Sequence, residues 1–210
     1  MRLLTATLAL LLGPAAAALA QLPRETQLDK ARNTYFEAMQ KMQAAYRKSF
    51  AETLAAFTKV EVYLLDFEMT DVEEVDRFGH WFNSLPEDQF PIVPYGRQAK
   101  VLQRKMLTAD EVKLFLPSLQ ETVAVEDSSG GALCHYPIYG VRVWGPQDQV
   151  VFQTSICLMC GNFYMTYPFE TTAHWTSLGR SSIDQILERL LPIPQKEKDR
   201  FAKKGVGKGK

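Results

Sequence analysis

The chain has 210 residues, with 24 basic and 24 acidic side chains, 46% hydrophobic residues and 23% charged ones. That composition is typical of a folded globular protein and excludes a disordered or collagen-like chain. The balanced charge, with no basic patch interleaved with aromatics, argues against nucleic-acid binding.

Residues 1–20 carry the pattern of a secretory signal peptide. Arg2 supplies the positive start, residues 3–12 the apolar run, Gly13-Pro14 a helix break, and Ala18 and Ala20 the −3 and −1 positions of a cleavage site. The run falls short of the about 20 apolar residues needed to span a bilayer. The expectation is cleavage after Ala20, no transmembrane span in the mature chain, and export to the periplasm or the medium. The last sixteen residues hold seven basic and two acidic side chains, which leaves an acidic body with a basic tail.

Residues 24–57 read as one long amphipathic helix. Leu28, Tyr35, Met39, Met42, Tyr46, Phe50, Leu54 and Phe57 recur at helical spacing, and no Gly or Pro interrupts them. The helix exceeds what a small domain covers, so a bend, a break near Ser49 or self-association through residues 24–57 is expected. Residues 59–69 (KVEVYLLDFEM) are rich in β-branched and aromatic side chains and read as a strand. An acidic, proline-punctuated stretch with Pro86, Pro91 and Pro94 reads as irregular structure, and residues 97–107 as a second strand.

Thr108-Ala-Asp-Glu111 is a capping box opening a helix to about Thr122, with Pro117 marking a kink or an earlier end. Two strands, 136–144 and 150–157, flank the four-residue turn 145–148. This hairpin register pairs Val143 with Val150 and Tyr139 with Thr154, which sets Cys134 opposite Met159. Residues 162–167 read as a further strand. Ser181 or Ser182 caps a helix striped by Ile183, Ile186, Leu187, Leu190 and Leu191, and stopped by Pro192 and Pro194. Residues 195–210 read as a basic, disordered tail.

The fold class implied is α+β, an antiparallel sheet with helices packed on one face, preceded by the long helix. The division is signal peptide 1–20, helix 21–58, α+β domain 59–194 and tail 195–210.

The hairpin draws Cys134, His135, Cys157 and Cys160 to one end, and four readings of that cluster stand open. In an oxidising compartment the default is a disulfide from Cys134 to Cys157 or Cys160, leaving one thiol over. Cys134, His135, Cys157 and Cys160 also supply the donor types of a Cys3His zinc site, the one cofactor the residues imply. The C-x-x-C at 157–160 matches redox motifs in spacing, although no helix follows to lower a thiol pKa. A Cys–His nucleophile would need His80 or His174 as its base. Asp66 and Glu68 share a strand face as a carboxylate pair, and His80-Trp81 and His174-Trp175 set an aromatic ring beside an imidazole. No G-x-S-x-G, P-loop, G-x-G-x-x-G or H-E-x-x-H occurs, so the balance leans away from an enzyme.

The order Cys134-His-Tyr-Pro-Ile-Tyr-Gly-Val-Arg142, then Ser155-Ile-Cys157-Leu-Met-Cys160, resembles a group of uncharacterised exported bacterial domains. Those read roughly C-F-x-P-x-H-G-[IL]-R followed by I-C-[FW]-x-C. Tyr139 here stands in place of the motif's histidine. The resemblance covers about residues 98–194 and implies bacterial export and a cysteine-clustered domain, with no activity attached. The functional expectation is an exported, non-catalytic domain that binds a partner or ligand in the cell envelope, its cysteines a staple. The alternative is a thiol-redox or zinc protein using Cys134, Cys157 and Cys160.

Overall fold

The computed structural model describes residues 26–71, 87–125, 134–168 and 173–206. Residues 1–20, expected to be a signal peptide, most of the acidic stretch with His80-Trp81, the loop 127–131 and the last four residues lie outside these. The chain divides into two units, up to Lys41 and from Met42 onward.

Helix α1 spans Gln27–Leu54 without a break. Thr26 caps it: the Asp29 amide donates to the Thr26 hydroxyl oxygen, and the Thr26 amide donates back to the Asp29 carboxylate. The expected apolar stripe is core only in the helix's last turns. Ala51 and Leu54 are buried and Tyr46 and Phe50 pack against the core, whereas Leu28, Tyr35 and Met42 are 60%, 64% and 67% exposed.

Seven antiparallel strands form one sheet: β1 Lys59–Asp71, β2 Gln89–Ile92, β3 Arg97–Met106, β4 Tyr139–Trp144, β5 Val150–Cys157, β6 Asn162–Thr166 and β7 Ala173–Ser177. They lie in the order β2-β3-β1-β4-β5-β6-β7. Helices α2 (Ala109–Val123) and α3 (Ile183–Leu190) join the end of α1 over one face. There Phe115, Leu119, Ile183 and Leu187 meet Val60, Val62 and Leu64 of β1 and Val141 and Val143 of β4. Helices on one face of an antiparallel sheet make this the α+β class that the element order implies.

The capping box at Thr108 forms in both directions. Helix α2 then runs through Pro117 instead of stopping before it. Arg47 of α1 is fully buried. It donates to the Val125 carbonyl just beyond α2 and, at 2.8 Å, to the Tyr167 hydroxyl, so a cation sits where the helix's terminal carbonyls need one.

β1 is buried on both faces from Val60 to Leu65, and Glu61 is the one charged side chain in that run. On the second face Tyr63 and Leu65 meet Phe90, Ile92 and Ala99. The sheet curls until Phe90 of β2 lies over β4 at Gly140, where a Cβ would come within 2.7 Å of the Phe90 ring.

Three expectations need correction. The proline-rich stretch contains strand β2, and Pro91 is tolerated there because β2 is the sheet's edge. The tail is not disordered at its start: α4 spans Gln195–Val206, with Phe201 against Phe67 at 5.3 Å and Arg200 paired with Asp66, Glu68 and Glu197. Asp66 and Glu68 are thereby the acceptors of a helix anchor.

The third correction is the hairpin register. Val143 pairs with Phe152 and Tyr139 with Ile156, two residues further along β5 than expected. The loop Gly145–Gln149 has five residues, closed by the Gly145 amide on the Gln149 carbonyl at 2.8 Å, and a bulge follows between Val143 and Trp144. One residue from each source shifts the pairing by two. An even shift leaves every side chain on its expected face.

Gly140→Ala should therefore destabilise the fold by about 1–3 kcal/mol through overpacking against Phe90. Urea unfolding followed by circular dichroism measures it, and an unchanged midpoint would contradict this packing.

Candidate functional site

Two sites emerge, one on the second face of the sheet and one where the sheet opens between β5 and β6. The first is the cysteine cluster. Cys134 and Cys160 are joined by a disulfide, with Cα atoms 6.2 Å apart. Cys157 is left as a buried free thiol. The turn after β5 folds back so that the Cys160 amide, and across the sheet the Tyr136 amide, both donate to the Cys157 sulfur at 3.3 Å. Gly161 closes the turn at φ 62°, a conformation that favours glycine. Burial pushes the Cys157 thiol up to about 11, against the opposing pull of the Cys160 and Met159 amides. It is therefore protonated at neutral pH, and the thiolate that exchange chemistry needs is scarce.

His135 is buried, and two polar residues that the sequence did not single out hold its ring. Nε2 lies 2.7 Å from the Ser155 hydroxyl and Nδ1 2.7 Å from Oδ1 of Asn162. The Asn162 amide nitrogen donates to the Cys134 carbonyl at 3.0 Å, which turns its oxygen toward the ring. Nδ1 therefore carries the hydrogen, and Nε2 accepts from Ser155. Trp175 of β7 stacks over the imidazole at 4.2 Å, with Tyr95 against Trp175 at 5.4 Å.

Hydroxyl, imidazole and amide in this order match the connectivity of a nucleophile, its base and an orienting group. Acyl transfer also needs a nucleophile that a substrate can reach, and Ser155 is 0% exposed. The arrangement works as a clamp that binds the segment before β4 to β5 and β6. Desolvation holds His135 down near 4.

For the zinc reading, both ring nitrogens of His135 are engaged and two of the three sulfurs are bonded to each other. Among the described residues, no group of three or more His, Cys, Asp and Glu side chains is disposed to hold a metal. His174 sits on β7 edge-on to Tyr167 at 5.6 Å.

The second site is a cleft of about 660 Å³ that none of the cysteines lines. It exists because β5 and β6 separate. Their ladder consists of only Ile156–Phe163 and Cys157–Asn162. At the next step the Thr154 hydroxyl intervenes, accepting from the Tyr164 amide at 3.2 Å and donating to the Tyr164 carbonyl at 2.8 Å. A side chain thus satisfies backbone groups that a paired strand would otherwise satisfy.

Beyond that wedge, Gln153 and Thr166 line opposite sides of the opening, with Tyr46 and Phe50 of α1 also at its walls. Its floor is a polar chain across β1, β4 and β5. Gln153 accepts from Arg142 Nε at 2.6 Å, Arg142 Nη1 donates to the Tyr63 hydroxyl at 3.3 Å, and that hydroxyl donates to the Glu61 carboxylate. Burial and the Glu61 carboxylate push the Tyr63 phenol well above its ordinary range. No sequence motif marks these residues. Arg142 is the only one of them that the resemblance motif includes.

Comparison with protein-family models, with curated proteins and with solved structures gives no match. Among the described residues, no helix is long and apolar enough to cross a membrane.

Two outcomes are expected of the cluster. The unfolded chain protonates His135 near its ordinary 6.5, the folded one only near 4. Stability present above pH 6.5 is then lost as pH falls from about 6.5 to about 4, by about 3 kcal/mol. Urea unfolding at pH 7 and pH 4, with an NMR titration of the ring, measures this, and a folded ring titrating near 6.5 would contradict it. Intact mass after alkylation should find no modified cysteine in the native oxidised protein and one after denaturation. Reducing the bond should cost about 3 kcal/mol in the chain-entropy model.

Proposed function

We propose that this chain is an exported binding domain that takes a small polar ligand into the cleft between β5 and β6, its disulfide acting as a staple. The observation that carries this reading is the cleft itself. The β5–β6 ladder stops after two pairs and opens by way of Thr154, onto a floor of ordered polar side chains. Pockets of this size, with aromatic walls and a few fixed polar groups, are the usual form of small-molecule sites.

The thiol-redox and zinc readings draw less support. Cys157 is protonated and buried, and the sulfurs of Cys134 and Cys160 are spent on one another. Export agrees with a stable disulfide, which persists in oxidising compartments.

The test is a ligand-observed NMR screen of small polar compounds against the wild-type chain and Thr166→Trp. Thr166 is exposed at the cleft mouth, where the indole blocks entry with little cost to the fold. Compounds that bind the wild type and lose their signal with the variant support the reading. Equal signals with both proteins would place binding elsewhere, and a screen without a cleft-dependent compound would overturn it.

A further inference from the structure

We propose that the ligand carries a single carboxylate on an apolar or aromatic body, and that Arg142 holds that carboxylate; this rests on the cleft being the binding site. Arg142 is fixed on several sides. Nε and Nη1 are hydrogen-bonded to Gln153 and Tyr63, and the rings of Tyr63 and Phe90 each lie 5.2 Å from the guanidinium carbon. Every one of these partners is neutral.

The contrast with neighbouring cations decides the matter. Arg104, which also lines the cleft, is paired with Glu87 at 3.3 Å, and the lining residue Asp148 is taken up by Lys59. Arg142, half-buried, forms no ion pair among the described residues. Glu61 stands opposite it in the strand register but gives its carboxylate to the Tyr63 hydroxyl. The Tyr63 hydroxyl stands between Arg142 and Glu61, so no carboxylate accepts from the guanidinium directly, and a ligand carboxylate can take that place.

The geometry suits this anion. A guanidinium has five N–H groups, of which Arg142 spends two, leaving one on Nη1 and both on Nη2. A planar carboxylate can accept from Nη1 and Nη2 together, as a fork of two parallel bonds. The number of charges is set by Glu61: its carboxylate, one strand away, repels a second negative group on the ligand. Phe50 and Trp144, both half-buried, line the same cleft and supply surface for an apolar body.

The experiment uses the full chain and a series of aliphatic and aryl monocarboxylates, each beside its own primary amide. Titration calorimetry should find acids binding about tenfold or more above their amides, with a preference that weakens as salt screens the charge. Phenylglyoxal labelling with peptide mapping should find Arg142 protected by an acid and not by its amide. Arg142→Gln should bring acid and amide to equal affinity.

Equal binding of acid and amide by the wild type overturns the carboxylate assignment and leaves the cleft reading standing. An acid preference that persists in Arg142→Gln, or that leaves Arg142 open to labelling, assigns the anion to another cation and overturns the proposal. Failure of every acid, while other compounds bind in a Thr166-dependent way, overturns it as well. Failure of all compounds removes both readings. The labelling and salt arms need no variant, so a misfolded Arg142→Gln does not block the answer.

Discussion

The second face of this sheet buries polar side chains. Glu61, Ser155, His135 and Asn162 are all buried there, and an unsatisfied polar group in such a place costs a few kcal/mol. The protein answers with side-chain-to-side-chain bonding in two chains. Glu61, Tyr63, Arg142 and Gln153 form one, and Ser155, His135, Asn162 and the Cys134 carbonyl form the other. Gln153 and Ser155 are two apart on β5, so one strand face serves both.

The two chains end differently, and the difference separates scaffold from site. The His135 chain is closed: each member is satisfied by the next, and Trp175 covers the ring. The Arg142 chain opens onto a cavity with guanidinium hydrogens left over. A single threonine creates that cavity, because its hydroxyl replaces one step of a ladder. Strand pairing, more than loop length, therefore sets the cleft's position.

Much of the scaffold was legible in the sequence because it rests on local rules. Helical spacing located α2 and α3, the Thr108–Glu111 box fixed one helix start, and β-branched runs gave β1 and β5. The hairpin register was off by two because neither the fifth loop residue nor the bulge shows in the alternation, yet the faces came out right. Edge strand β2 hid behind Pro91. Helix α4 hid behind its charge, since Phe201 on Phe67, Arg200 on Asp66 and Lys198 on Glu188 all reach residues outside the helix. The cleft was illegible for a related reason. Arg142 and Gln153 look like ordinary strand residues, and only the curl that lays Phe90 over Gly140 sets the Phe90 ring against the guanidinium. Ser155 and Asn162 lie 20 and 27 residues from His135, and no local pattern links them.

The thiol of Cys157 bears on how the protein is made. Cys134 can close a loop with Cys157 or with Cys160, 23 or 26 residues away. In an unfolded chain those loops differ by only about 0.1 kcal/mol in closure entropy, so chain statistics do not choose between them. The choice comes from β5 and β6, which draw Cys157 under the amides of Tyr136 and Cys160 and leave Cys160 to meet Cys134. Oxidation therefore has to follow sheet assembly. A chain oxidised as it emerged, before β6 was in place, would scramble its sulfurs and need an isomerase to recover.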